Sequence, residues 1–192
     1  CSRSDQNLEQ AAEKLRKFGV EVRSIACDIA TELGREAVLE LIPNPDILIT
    51  NCGGPPPGSW ENWREKDFLQ AIQANMLSSI FLIQRSLPSM INNGWGRIVN
   101  ITSGAVKSPI PALGLSNSAR AGLTGFVAGV SRQVAIHGVC INNLLPGIHD
   151  TDRIKGFDEQ MSKDLAISVS EVRDKKAKSI PVGRYGRAEE FG

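Results

Sequence analysis

Residues 96–120 read Gly-Arg-Ile-Val-Asn-Ile-Thr-Ser-Gly-Ala-Val-Lys-Ser-Pro-Ile-Pro-Ala-Leu-Gly-Leu-Ser-Asn-Ser-Ala-Arg. The apolar run at 97–102 predicts a buried strand, and Ser103 follows it directly. A loop with two prolines comes next, and a predicted helix then carries Ser116 and Arg120 four residues apart on one face. A strand end, a loop and a helix that all present polar groups are typical of a ligand site.

The sequence on either side alternates predicted strands with predicted helices. The predicted strands lie at 20–27, 46–50, 97–102 and 139–145, and the predicted helices at 6–18, 32–41, 65–92, 112–137 and 162–177. This alternation predicts an α/β fold with a doubly wound parallel sheet. The short apolar strand at 46–50 is predicted to be buried on both faces. With 192 residues, the chain is expected to form a single domain, 1–192.

Charge and composition exclude several classes of protein. The 22 Lys and Arg residues nearly balance the 21 Asp and Glu residues, so nothing directs the chain toward nucleic acid or an anionic membrane. The four cysteines at 1, 27, 52 and 140 form no Cys-x-x-Cys pair, and Cys27 and Cys140 fall in predicted buried strands. This pattern favours reduced thiols and a cytoplasmic protein over a disulfide framework or a metal site.

Several motifs together resemble those of a known family. They are Asp28, Thr50-Asn-Cys-Gly-Gly54, Asn75, Gly96-Arg-Ile-Val-Asn-Ile-Thr-Ser103 and Asn142-Asn-Leu-Leu-Pro-Gly-Ile-His-Asp-Thr151. In order and spacing they closely resemble the short-chain dehydrogenases/reductases, in particular their 3-oxoacyl-carrier-protein reductase-like branch. The resemblance implies a Rossmann-like fold, a nicotinamide cofactor, a small carbonyl or alcohol substrate, and a homo-oligomer (dimer or tetramer). For Gly122, Gly125 and Gly129 it implies helix packing between subunits; packing within one subunit is the alternative.

One part of the family pattern is absent from this sequence. The family opens with a strand and a glycine-rich Thr-Gly-x-x-x-Gly-x-Gly turn that receives the cofactor pyrophosphate, and the chain has no such turn. The resemblance therefore predicts a domain that is incomplete at both ends. Because the family's first strand lies at the centre of its sheet, residues 1–192 alone are not expected to fold stably, and a cooperative thermal transition would refute this.

The resemblance implies that several of these residues bind the cofactor. Asn51 and Gly53 correspond to positions beside the cofactor ribose, although a turn that merely needs glycine is the alternative. Asp28, which Ile29 follows, corresponds to a position at the adenine, although it could simply end a strand. An arginine at the position of Arg3 favours the 2′-phosphate of NADP, whereas a carboxylate there would favour NAD. NADP is therefore the predicted cofactor, with NAD as the alternative.

A second cofactor segment lies further along the chain. By the resemblance, Pro146, Gly147 and Thr151 receive the nicotinamide carboxamide, and a loop that starts a helix is the alternative. His149 lies in the same segment and could titrate near neutral pH, but an exposed loop histidine explains it equally.

The catalytic pattern departs from the family. Reducing a carbonyl with a nicotinamide needs a hydride, a donor that polarises the oxygen, and a proton source. The family uses a serine, a tyrosine, a lysine and a helical asparagine, and Ser103 and Asn75 match two of them. The tyrosine belongs thirteen residues after the serine and the lysine four residues later, where this chain has Ser116 and Arg120.

The replacements change the chemistry that is available. A serine hydroxyl is a far weaker acid than a tyrosine, and an arginine keeps the cation but does not release a proton. Arg120 could still hold ribose hydroxyls of the cofactor or polarise a substrate oxygen. Lys107, four residues after Ser103, could be an acid if desolvated, or a solvated loop lysine. The only tyrosine, Tyr185, is interpreted as structural.

Two hypotheses about function follow. The first is a divergent NADP-dependent oxidoreductase with an atypical proton source. The second is a nucleotide-binding pseudoenzyme of the same fold with a regulatory or assembly role. Loss of the tyrosine and lysine favours the second hypothesis, and retention of Ser103, Asn75 and the Pro146-Gly147 segment favours the first.

Overall fold

The computed structural model describes residues 1–191, which form two compact units. The first unit is Cys1–Leu145, and the second begins at Pro146. The prediction that residues 1–192 make a single domain stays a prediction.

A parallel sheet organises the first unit. Its three strands are β1 (Ile47–Thr50), β2 (Gly96–Ile101) and β3 (Val139–Leu144), in the order β1-β2-β3. The register pairs Thr50 with Asn100 and Asn100 with Asn143, so the three strands end at one edge of the sheet. The predicted α/β fold with a Rossmann-like parallel sheet is confirmed.

Helices before and between these strands confirm the predicted helices at 6–18, 32–41, 65–92 and 112–137. They are α1 (Asp5–Arg16), α2 (Glu32–Leu41), α3 (Glu65–Ile72), α4 (Ser78–Asn92) and α5 (Gly114–Val134). A π-helical turn, Gln73–Leu77, joins α3 to α4, and single 3-10 turns lie at Gly104–Val106, Pro111–Leu113 and Ala135–His137. Gly138 ends the last of these turns with a φ of +75°, a conformation that favours glycine.

The main core lies between the sheet and the helices α4 and α5. Ile83 of α4, Ile98 of β2 and Leu123 of α5 are almost fully buried in it. Burying a side chain of this size stabilises the fold by about 1.5–3 kcal/mol relative to leaving it exposed. This core fixes α5 against the sheet, and α5 carries Ser116 and Arg120.

The predicted strand at 20–27 is wrong. Its residues form one isolated parallel bridge, between Ser2 and Ala26, in which the Cys27 amide donates to the Ser2 carbonyl over 2.9 Å. A strand needs a neighbour along several residues. Within residues 1–191, this segment pairs with Ser2 only, so it does not form a strand.

Two predictions of burial are also wrong. In β1, Ile47 is 58% exposed and Ile49 is 56% exposed, so the strand is not buried on both faces. Cys140 in β3 is exposed. Cys27, at the end of the segment 20–27, is only half-buried. The core described above contacts alternate residues of each strand, and the intervening residues face away from it.

The second unit contains two helices where one was predicted. They are α6 (Asp152–Leu165) and α7 (Val169–Lys178). The helix predicted near 162–177 is confirmed by α7, but its predicted start is wrong. Ala166 adopts a left-handed conformation with a φ of +50°, which ends α6. Ser168 then caps α7, and Glu171 bonds back to the Ser168 amide over 2.9 Å. This capping box starts a new helix inside the predicted one.

In residues 1–191, every helix is too short or too polar to cross a lipid bilayer.

Candidate functional site

A buried polar network joins the three strands just before the loops that follow them. The Thr50 hydroxyl donates to Asn100 Oδ1 over 2.7 Å, and Asn100 Nδ2 donates to Asn143 Oδ1 over 3.1 Å. Asn100 is fully buried, so these bonds replace its contacts with water. The network holds the strand ends in register, and the sequence signal for it was an asparagine inside an apolar strand.

Arg120 connects α5 to the ends of two strands. Its Nη1 donates to the carbonyl of Ile101 at the end of β2 over 2.9 Å, and its Nη2 to the carbonyl of Cys52 after β1 over 3.2 Å. Its Nε donates to Ser116 Oγ over 3.2 Å. Arg120 is 7% exposed and Ser116 is 5% exposed. The structure therefore brings the predicted pair Ser116 and Arg120 together in a buried position at the carboxyl edge of the sheet.

Ser103 lies at the start of the loop after β2. Its Oγ accepts a hydrogen bond from the Ala105 amide over 3.1 Å and so caps the turn Gly104–Val106. That turn packs against α5, the helix of Ser116. Lys107 ends the same turn with an exposed side chain. Because the Ser103 oxygen accepts the amide proton, its own O–H is left to donate to another oxygen.

Asn75 lies in the π-helical turn and is 2% exposed. Its Nδ2 donates to the Gly53 carbonyl over 2.9 Å, and its Oδ1 is buried with no hydrogen-bond partner among residues 1–191. A side chain on Gly53 would meet no heavy atom within 4 Å, so there is room beside it. A buried acceptor without a donor is rare, and π-helical turns are frequent at functional sites. The unpartnered oxygen and the π-helical turn together mark Asn75 as a candidate functional residue.

Three charged residues influence the pKa of the Cys52 thiol. Burial raises the pKa of Cys52, and the Asp28 carboxylate raises it further, while Arg3 and Arg120 oppose this shift. Charges act on a thiol in this way only when they lie near it. The predicted cofactor residues Arg3 and Asp28 therefore share one electrostatic neighbourhood with Arg120.

The turn from Asp28 to Thr31 is tightly held. Asp28 Oδ1 accepts from the Ala30 amide over 2.9 Å, and the Asp28 carbonyl accepts from the Thr31 amide over 3.0 Å. Arg35 Nη1 donates to the carbonyls of Ile29 and Ala30 over 3.0 and 3.1 Å. Asn51, in the loop after β1, has an exposed side chain.

The second unit holds the other predicted cofactor residues. Gly147 and Thr151 are exposed, Pro146 is half-buried, and Thr151 precedes α6 without a capping hydrogen bond from its side chain. His149 is packed, because its ring meets the Phe191 ring edge-on at 5.2 Å and lies against Gly186. The Asp150 amide also donates to the Gly186 carbonyl over 2.8 Å. These contacts hold the segment against the turn near Gly186.

Tyr185 belongs to a buried ionic cluster in the same unit. Its hydroxyl lies 3.2 and 3.3 Å from the two oxygens of Asp158, which is fully buried. Lys176 contacts Asp158 at 2.6 Å, Arg173 contacts it at 3.3 Å, and the Arg173 guanidinium lies 4.5 Å from the centre of the Tyr185 ring. Burial, and then the charge of Asp158, raise the pKa of Tyr185. Such a cluster agrees with a structural role for Tyr185.

The sequence of this chain is similar to that of a known protein family and of several reductases. The family model described as short chain dehydrogenase matches residues 1–162. The 3-oxoacyl-[acyl-carrier-protein] reductase of Aquifex aeolicus is 28% identical over 194 residues, which cover 97% of this chain and 73% of that protein. The NADPH-dependent reductase BacG of Bacillus subtilis is 29% identical over 195 residues, which cover 98% of this chain and 75% of that protein.

Solved structures of reductases have the same fold as this chain. A crystal structure of YwfH, an NADPH-dependent reductase involved in bacilysin biosynthesis, matches with a TM-score of 0.90 and 28% identity, over 98% of this chain and 75% of the other. A variant of actinorhodin polyketide ketoreductase, crystallised with NADPH, matches with a TM-score of 0.88 and 26% identity, over 99% of this chain and 75% of the other. From the family match and the shared fold, we conclude that this chain belongs to the short-chain dehydrogenase family.

Proposed function

We propose that this protein is an NADP-dependent oxidoreductase that reduces a carbonyl or oxidises an alcohol. The observation that carries the proposal is the buried pair Ser116 and Arg120 at the carboxyl edge of the sheet, where Arg120 donates to Ser116 Oγ over 3.2 Å. Ligands of open α/β sheets bind at this edge. The similar reductases BacG and YwfH, both described as NADPH-dependent, support the choice of cofactor.

In the first unit, six residues are proposed to hold the cofactor: Arg3, Asp28, Ile29, Asn51, Gly53 and Arg120. Arg3 supplies a cation for the 2′-phosphate, and a guanidinium suits phosphate oxygens well. Asn75 is proposed as a catalytic residue beside this site, where its Nδ2 donates to the Gly53 carbonyl. Pro146, Gly147 and Thr151 of the second unit are proposed to receive the nicotinamide carboxamide. NAD is the alternative cofactor.

The proposed chemistry separates the hydride from the proton. When bound, NADPH supplies the hydride that reduces the carbonyl carbon. The hydroxyls of Ser103 and Ser116 donate to the carbonyl oxygen, and each can do so because its oxygen already accepts an N–H from the protein. Fixed donors of this kind stabilise the negative charge that develops on the oxygen.

Arg120 cannot take part in proton transfer, as a lysine at its position could. A guanidinium stays protonated in proteins, so its role is to fix Ser116 and to place positive charge at the site. The proton that completes the alcohol is therefore proposed to come from water and to reach the substrate oxygen through a serine hydroxyl. Lys107 does not fit the role of proton donor, because that role needs a desolvated amine and the Lys107 side chain is exposed.

A nucleotide-binding pseudoenzyme is the second candidate function. The three donors of Arg120 described above all go to the protein's own atoms, the carbonyls of Ile101 and Cys52 and the oxygen of Ser116. A clamp that only holds the fold together would make the same contacts. The contacts of Arg120 are therefore equally compatible with a protein that kept the fold and lost turnover.

A cytoplasmic homo-oligomer is part of the same proposal. Gly122 packs against Met76 within the chain, whereas a side chain at Gly125 or Gly129 would meet no heavy atom within 4 Å. Gly125 and Gly129 on α5 therefore leave room for a second copy of the chain. The molecular mass of the protein in solution tests whether an oligomer forms.

The test is NADPH oxidation by the full-length protein with a panel of ketones and 3-oxoacyl thioesters. We expect turnover of at least one carbonyl, and a loss of about 100-fold or more in kcat/KM in Ser103→Ala and Arg120→Ala. Arg132→Ala, at an exposed arginine of the same helix, is the matched control and should retain activity. Cofactor binding without turnover of any substrate would overturn the enzyme and support the pseudoenzyme.

A further inference from the structure

The π-helical turn Gln73–Leu77 reaches two loops of the candidate site at once. Asn75 Nδ2 donates to the Gly53 carbonyl over 2.9 Å, in the loop after β1. Gln73 Nε2 donates to the Ala30 carbonyl over 2.8 Å, in the turn that carries Asp28 and Ile29. The two amides lie two residues apart in the sequence, yet they bond to loops that are 23 residues apart, from Ala30 to Gly53.

The turn at 28–31 depends on these outside contacts. Its internal bonds involve Asp28, Ala30 and Thr31, and Thr31 also joins the turn to α2, because its Oγ1 caps that helix by accepting from the Gly34 amide over 3.1 Å. Arg35 of α2 and Gln73 of the π-helical turn both donate to the Ala30 carbonyl. A carbonyl oxygen has two lone pairs and can accept both bonds. Among the hydrogen bonds of residues 1–191, the bond from Gln73 is the one that ties the turn to the helical segment of Asn75.

Gly34 shows how closely the turn is packed. A side chain at Gly34 would overlap the Asp28 carbonyl, so α2 approaches the turn on one side, and Gln73 contacts it from another element. Arg35 is 8% exposed and Gln73 is half-buried, so both bonds are largely shielded from water. Shielded hydrogen bonds hold their partners more firmly than exposed ones.

We propose that Gln73 is a positioning residue for the nucleotide: it sets the distance between the Asp28–Ile29 turn and the Gly53 loop. This inference rests on the proposed function, because it assigns the turn and the loop to one cofactor. Gln73 acts through the backbone of Ala30 and does not itself touch the cofactor. Its loss should therefore weaken cofactor binding and leave the hydride-transfer step nearly unchanged.

The test compares Gln73→Met with Gln84→Met. Methionine is close to glutamine in size but has no N–H donor, and Gln84 is an exposed glutamine on α4 of the same helical region. The first readout is amide hydrogen exchange at residues 29–31 of the full-length protein without cofactor. The second is the dissociation constant of NADPH, measured by the change in its fluorescence on binding. Thermal unfolding of each variant shows whether a change is global.

For Gln73→Met we expect exchange at 29–31 to become faster and the NADPH dissociation constant to rise about threefold to tenfold, the value of one net hydrogen bond. We expect kcat to stay within about twofold and Gln84→Met to match the wild type. Unchanged exchange, or faster exchange with unchanged NADPH affinity, would overturn the positioning role. A wild-type protein that does not bind NADPH would overturn the proposed function instead, and exchange at 29–31 would still decide whether Gln73 holds the turn.

Discussion

Arg120 shows what a spacing rule can and cannot predict about a single residue. Ser116 and Arg120 lie four apart in a predicted helix, and their predicted position on one face is confirmed by the bond from Arg120 Nε to Ser116 Oγ. The bonds to Ile101 and Cys52 join residues 19 and 68 positions apart. Contacts at such separations depend on tertiary packing, so no local pattern in the sequence could predict them.

Tyr185 allows a residue-level prediction about pH. It is the only tyrosine in residues 1–192, and the absorbance difference between the protein and its Tyr185→Phe variant reports the ionisation of this residue alone. Burial, and then the Asp158 carboxylate, raise its pKa, and we expect a native midpoint above about 10, the ordinary value. Because the folded pKa is raised, stability from this group is present below about pH 10 and is lost as the pH rises through the native midpoint.

Absorbance titration of the full-length protein, native and unfolded in guanidinium chloride, measures this shift. The unfolded protein should titrate near the ordinary value, and Asp158→Asn should move the native midpoint toward it. Equal midpoints in the native and unfolded protein would contradict the buried contact between Tyr185 and Asp158.

At the scale of whole elements, the sequence predicted best where a segment carries its own signals. Helices α1 to α5 have apolar periodicity or caps, and β2 and β3 are apolar runs; all were predicted. The segment at 20–27 also has strand composition, but a strand exists only with a partner, and partners are not encoded locally. A helix that starts at 162 ignores Ser168-Val-Ser-Glu171, a capping box that is readable in the sequence and that starts α7.

The Ser168 cap gives an element-level prediction for α7. Ser168→Ala removes the hydroxyl that accepts from the Glu171 amide and bonds to its carboxylate, which should cost about 1 kcal/mol of local stability. Amide exchange in α7 should therefore become about fivefold faster. Ser170→Ala, at an exposed serine of the same helix, is the control. Equal exchange rates in the two variants would show that the capping box does not set the start of α7.

At the scale of the whole molecule, the open side of β1 bears on stability. Within residues 1–191, β1 pairs only with β2, and Ile47 and Ile49 are more than half exposed. An unpaired apolar strand edge leaves hydrogen-bonding groups and apolar surface in water. Calorimetry of the 192-residue chain expressed alone is therefore expected to show no cooperative thermal transition. A single cooperative unfolding endotherm would contradict this expectation.

The central claim is that a serine held by an arginine supports turnover where the family has a tyrosine and a lysine. Its most direct test is kcat/KM for NADPH oxidation by Ser116→Ala and by Ser118→Ala, an exposed serine two residues further along α5. We predict a loss of about 100-fold or more for Ser116→Ala and a change within about twofold for Ser118→Ala, because only Ser116 is bonded to Arg120. Wild-type kcat/KM in Ser116→Ala would contradict the account.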